Sequence, residues 1–103
     1  MLIRASEATE VSIAGLPHRV ERVPDLVRDR DALGEFCLVK GLIRLDEGLT
    51  VDLGEAAFVH EVTEALNVYL GLGLNHRQIV ALSKGWHQVL RDNGLIFGAG
   101  RGG

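Results

Sequence analysis

His60, Glu61 and Glu64 lie within five residues of one another, and their types and spacing could do metal chemistry. Positions four apart on an α-helix stand one turn apart on the same face. An imidazole nitrogen at 60 and a carboxylate at 64 would therefore project together. Both are good zinc donors, and this spacing lets them grip one ion. Glu61 is rotated by roughly 100° from His60, so it flanks such an ion instead of lying beneath it. A flanking carboxylate is placed to act as general base on a water that zinc has polarised. The attacked carbonyl would then pass through an oxyanion that the metal stabilises. Asn67 continues the His60–Glu64 line one turn on. Its bland reading is a polar residue near a helix end, and its functional one is a hydrogen bond to a ligand.

A catalytic zinc needs a third protein ligand, with the fourth position left for water. His76 is the best candidate, since it opens the next helix after a short glycine-containing turn. His60, Glu64 and His76 make a set of two His and one carboxylate for one zinc ion per chain. In the HExxH motif of zinc peptidases the second His occupies the place that Glu64 fills here, so the pattern is HExxE. The exchange keeps a ligand but adds negative charge. His87 is eleven residues from His76, about three turns, too far to share the ion; solvent exposure is expected for it. His18 shows no partner. Tyr69 and Trp86 fall in helical apolar stripes and read as core or core-edge aromatics. Cys37 lies in Phe36-Cys37-Leu38-Val39 and reads as a small buried hydrophobe.

The elements that must position these groups divide the chain in two. The first half reads as strands: Val11 to Ala14, a turn at Gly15-Leu16-Pro17, then His18 to Val23. Pro24 to Asp31 is charged and suits a loop or a short helical turn. Leu33 to Val39 and Leu42 to Leu45 follow, joined by a tight hairpin at Lys40-Gly41, and Asp46-Glu47-Gly48 closes the last strand. The second half reads as two helices. One starts at a capping-box-like Asp52-Leu53-Gly54-Glu55 and runs to about Leu70, stopped by Gly71 or Gly73. The other is capped by Asn75 with Gln78 three positions on. It carries Ile79, Leu82, Trp86, Val89 and Leu90 at helical spacing and stops at Asn93-Gly94. The expectation is an α+β domain over residues 1–97, with a small, mostly antiparallel sheet of three or four strands packed against two main helices. Residues 98–103, mostly glycine, read as a flexible tail.

Composition narrows the function classes. A chain of 103 residues fits one domain, and a hydrophobic share of 47% supports one modest core, which a bound metal would reinforce. A net charge of −3 with no basic stripe argues against nucleic-acid binding. No apolar run reaches membrane-spanning length and the N-terminus lacks a signal-peptide pattern, so a cytoplasmic protein is expected.

Leu33-Gly34-Glu35 before the hairpin, Ile43-Arg44-Leu45-Asp46, His60 to Asn67, Leu74-Asn75-His76 and Gln88-Val89-Leu90-Arg91-Asp92-Asn93 occur in a telling order. Over about residues 11–93, the chain resembles small phage and prophage zincin-like proteins, related in plan to SprT-like and ImmA-like metallopeptidases. The resemblance implies a zincin-like minidomain in a host cytoplasm, with His60 as a zinc ligand and Glu61 as the base. It also implies an edge strand, Leu42 to Leu45, on which an extended peptide or protein substrate docks by strand addition. A chain this short leaves no second lobe to wall a substrate cleft. The function expected first is a zinc-dependent peptidase or other amide hydrolase. The alternative is a non-catalytic binding module of the same fold, with or without structural zinc, acting through protein–protein contacts. The third reading uses no metal and acts through a sheet edge or helix face.

Overall fold

The computed structural model describes residues 8–94. The Gly-rich tail expected at 98–103, and both ends of the domain expected at 1–97, lie outside them. Four strands and three helices follow in the order β1 (Glu10–Ile13), β2 (Leu16–Val23), α1 (Leu26–Arg30), β3 (Gly34–Cys37), β4 (Leu42–Asp46), α2 (Val51–Leu70) and α3 (His76–Asp92). The fold is α+β, as expected. A four-stranded, mostly antiparallel sheet runs in the order β1-β2-β4-β3 and packs against two main helices. Among the described residues no helix is long and apolar enough to cross a membrane.

The β1–β2 turn is tighter than its residue types suggested. Ala14 and Gly15 both take positive φ, 51° and 81°, the backbone that a two-residue hairpin requires. Leu16 and Pro17 are therefore already in β2, paired with Ile13 and Ser12. The β3–β4 loop is longer than expected: the strands end at Cys37 and Leu42, and Gly41 turns the chain at φ 57° with its amide on the Leu38 carbonyl.

β4 overturns one expectation. It pairs with β3 antiparallel and with β2 parallel, so Leu42–Leu45 is an interior strand and offers no edge to a peptide. Leu42, Ile43 and Leu45 are almost wholly buried, which suits a strand covered on both sides. The parallel pairing is possible because α1 and β3 fill the connection between β2 and β4. The outer strands are β1 and β3.

α2 is buried on two sides. Ala57 and Ala65 pack with Val20, Ile43 and Leu45 of the sheet, while Val59 packs with Trp86 and Leu90 of α3. Alanine at the sheet-facing positions lets the helix axis come close. α2 is capped by Thr50, whose Oγ1 accepts from the Leu53 amide at 3.3 Å, and not by Asp52. Thr50 has the extended backbone a cap needs (φ −63°, ψ 164°), whereas Asp52 is already in the first turn and accepts from Arg91 of α3 at 2.7 Å. Gly71 stops α2 in the left-handed region, and the Asn75–Gln78 capping box starts α3 as its residue types required. Tyr69 and Trp86 are core-edge aromatics, as expected.

Candidate metal centre

The packing of β3 and α3 around α2 brings the expected residues to one cleft of about 680 Å³. Its floor is α2, with Ala56, Ala57, His60, Glu61 and Glu64. One wall is the chain from Asp31 to Phe36, including the free side of β3. The opposite wall is α3, with His76, Ser83, Lys84 and His87. The cleft thus has two walls without a second lobe, because α3 folds back along α2. Asn67 makes that return possible: its side-chain amide both donates to the Leu74 carbonyl (3.2 Å) and accepts from the Leu74 amide (2.8 Å). Its role is to clamp the turn before His76, not to bond a ligand.

His60 and Glu64 meet as their spacing required. Nε2 of His60 stands 3.5 Å from Oε2 of Glu64, and both side chains are partly exposed to the cleft. On its other side the His60 ring is positioned by Ser83, a buried residue of α3. Ser83 Oγ stands 3.2 Å from the Val80 carbonyl, to which it donates, and 3.4 Å from His60 Nδ1; with its proton on Val80 it accepts from Nδ1. With the ring proton on Nδ1, Nε2 presents a bare lone pair to the Glu64 carboxylate; with it on Nε2, the ring donates to Glu64 instead. Two lone-pair donors at this separation repel unless a proton or a metal ion lies between them. Ser83 was not among the residues singled out from sequence. Its signal is its place seven residues after His76, two turns on along the same face of α3.

The separation can be compared with what an ion needs. Two donors bonded at about 2.0–2.2 Å to a tetrahedral zinc stand roughly 3.3–3.6 Å apart, which matches the His60–Glu64 distance. His76 is less close. Its ring centroid is 6.1 Å from that of His60, at 70° between planes, whereas two imidazoles on one tetrahedral zinc bring their centroids to roughly 5 Å. His76 is exposed at the start of α3, so rotation of its side chain is unhindered by core packing. Among the described residues no three His, Cys, Asp or Glu side chains converge closely enough to hold a metal ion as they stand. The His60–Glu64 separation fits zinc, and the His76 ring stands farther off than a shared ion allows.

Glu61 lines the cleft on the side toward β3, between α2 and the sheet. It is buried, and its Cγ lies against Gly34 of β3, where a Cβ would come within 3.3 Å. Burial pushes its carboxyl up to about 8, and the charges of Glu64 and Glu35 add to the rise. Glu35 is itself held on the sheet's far face by Arg30 (3.1 Å) and Arg44 (3.0 Å), and that bond raises the Arg44 guanidinium. Cys37 is half-buried beside the same Arg44, whose Nη1 is 3.6 Å from its sulfur.

Two other histidines differ from expectation. His87 is half-buried in the cleft wall instead of solvated, because α3 presents His76, Ser83 and His87 along one stripe. His18 has a partner after all. It is 2% exposed, with Nδ1 on the Leu16 carbonyl at 2.9 Å and Nε2 2.6 Å from the Tyr69 hydroxyl. It belongs to the core and takes no part in the cleft. α1 and the wall that follows it are held by Asp46, whose carboxylate accepts from the Val27 and Gly48 amides. These bonds hold its carboxyl below the usual range.

Comparison with protein-family models, curated proteins and solved structures finds no match to this chain.

Proposed function

We propose that the cleft is the active site of a zincin-like, zinc-dependent amide hydrolase, with the cytoplasm as its compartment. His60 and Glu64 would hold the ion, and His76 would complete the set by turning inward. The observation that carries this reading is the 3.5 Å separation of His60 Nε2 and Glu64 Oε2, with Ser83 orienting the ring from behind. A hydrogen bond to the far nitrogen of a ligating His is what fixes such a ring toward its metal. Zinc bound there supplies a Lewis acid for a carbonyl oxygen and lowers the pKa of its water.

The chain's own residues supply the remainder. Glu61, one position from His60, is the proton acceptor; a carboxyl raised toward neutrality is well matched to that task. A cation held by Glu64 opposes the repulsion that lifts Glu61 and returns it toward its ionised form. An extended peptide finds its place along β3, not β4. The Asp46 amide donates to the Leu33 carbonyl, so by antiparallel alternation Glu35 and Cys37 exchange bonds with β4. Gly34 and Phe36 then turn their backbone groups to the free side that borders the cleft, where strand addition is available.

The second reading, a non-catalytic peptide-binding module of this fold, is favoured by one observation: His76 stands short of the other two donors. One experiment separates the two. Metal content of the purified protein is measured by mass spectrometry for wild type, His60→Ala, Glu64→Ala and Glu61→Gln, followed by hydrolysis of a quenched-fluorescent peptide library. The expected result is about one zinc per wild-type chain, lost in the first two variants. Glu61→Gln should retain zinc and lose hydrolysis. A wild type that takes up no zinc overturns the metal site; zinc without hydrolysis leaves the binding module.

A further inference from the structure

The α2–α3 register fixes what lies beyond the proposed metal pair. Arg91 bonds Asp52 and Ser83 meets His60, so the helices run antiparallel, eight residues separating the paired positions on each. Midway between them, His87 stands level with Ala56. Both line the cleft, one turn or about 6 Å from His60 toward the start of α2. His76 lies on the opposite side, toward the end of α2. Here the floor is Ala56 and Ala57, whose small side chains leave depth for a ligand. Lys84, adjacent to Ser83, stands on the same wall.

Lys84 is the one lysine or arginine among the described residues that line the cleft. It is exposed, and it makes no hydrogen bond or ion pair with a described residue. Arg19, Arg28, Arg30, Arg44 and Arg91 are, by contrast, each held by a carboxylate.

We infer that this end of the cleft is a subsite for a carboxylate of the bound peptide, received by Lys84. The inference rests on the reading that the cleft takes a peptide. An extended chain advances about 3.4 Å per residue, so a group some 6 Å from His60 belongs to a residue about two positions from the one held there. The carboxylate is an acidic side chain or the peptide's C-terminus.

The test is fluorescence anisotropy with zinc-loaded Glu61→Gln protein, which binds without cutting, and three fluorescein-labelled peptide pools. The first carries a fixed central Glu and an amidated C-terminus. The second has Gln in place of Glu, and the third has Gln with a free C-terminus. The expected result is roughly three- to tenfold tighter binding of a carboxylate-bearing pool than of the amidated Gln pool, weakening as salt rises. Preference for the first pool assigns an acidic side chain, and for the third the C-terminus. Lys84→Met should abolish the preference and Lys84→Glu reverse it, with circular dichroism unchanged. Equal binding of all pools, binding of none, or a preference that survives Lys84→Met overturns the subsite. A Lys84-dependent preference by a wild type that cuts none of the pools overturns the hydrolase and leaves the subsite standing.

Discussion

Gly34 of β3 and Glu61 of α2 touch face to face: a Cβ on residue 34 would stand 3.3 Å from Glu61 Cγ. The absence of a side chain at 34 is what lets the carboxyl of α2 lie flat against the sheet. It also admits Leu45, whose Cδ2 would be 2.9 Å from that Cβ, and the Arg44 carbonyl, at 3.0 Å. The carbonyl belongs to the backbone of an interior strand and cannot yield cheaply. Gly34→Ala is therefore expected to destabilise the fold by about 1–3 kcal/mol through overpacking. Thermal unfolding by circular dichroism reads this as a fall of several degrees. An unchanged midpoint would mean that the sheet relaxes around the added methyl.

That contact shows where sequence reading reached and where it stopped. The His60–Glu64 approach was legible because both residues sit on one helix, whose 3.6-residue period fixes who faces whom. The Asn75–Gln78 box and the Gly71 stop were legible for the same reason, being local. Ser83, Lys84 and His87 were not read as parts of the site. Their facing depends on how α3 docks on α2, which the Asp52–Arg91 bond and the Asn67 clamp decide. The place of β4 in the sheet was misread on similar grounds. A hairpin announces one neighbour, whereas the parallel pairing with β2 spans the whole α1–β3 connection. Glu61 is intermediate: its direction on the helix was correct, but its burial comes from Gly34, a residue of the sheet.

The bond between His18 and Tyr69 ties β2 to the end of α2. With Nδ1 of His18 on the Leu16 carbonyl, Nε2 is left to accept from the Tyr69 hydroxyl at 2.6 Å. Tyr69→Phe leaves a buried ring nitrogen without that donor, at a cost of about 1–3 kcal/mol. Urea unfolding should show a lower midpoint with an unchanged slope. Zinc uptake should be unaltered, since neither residue lines the cleft; a parallel loss of zinc would mean that the two regions are coupled.

In metal-free protein, Glu61 sets the sign of the pH dependence. Its ordinary carboxyl value is 4.5 and in the fold it is about 8, so between these the folded state holds a proton that the unfolded state has released. Stability is fully retained below the lower value and declines as pH rises toward the upper one. The slope approaches about 1.4 kcal/mol per pH unit at most, amounting to a few kcal/mol over the window. Asp46 acts in the other direction: its lowered carboxyl stabilises above 3.8 and loses that contribution as pH falls. Urea unfolding in a chelator should therefore find the greatest stability in mildly acidic solution. Glu61→Gln should flatten the decline from 4.5 to 8; an equal slope in that variant would assign the decline to another group.

Ser83 offers the sharpest separation of a positioned histidine from an incidental one. It sits behind His60, with Oγ 3.4 Å from Nδ1 and 3.2 Å from the Val80 carbonyl, and the zinc reading has it accept from Nδ1. Ser83→Ala removes the acceptor, so the ring is free to rotate and the other tautomer can place its hydrogen on Nε2, where it faces Glu64 and blocks a metal. A positioning role predicts roughly 10- to 100-fold weaker zinc affinity, measured by competition with a chromophoric chelator. The cost in stability should be only about 1 kcal/mol, as for one lost hydrogen bond. Ser83→Thr keeps the hydroxyl and should recover most of the affinity. If Ser83→Ala binds zinc as wild type does, the His60 ring is oriented by its metal and not by α3, and the tautomer argument for the site fails.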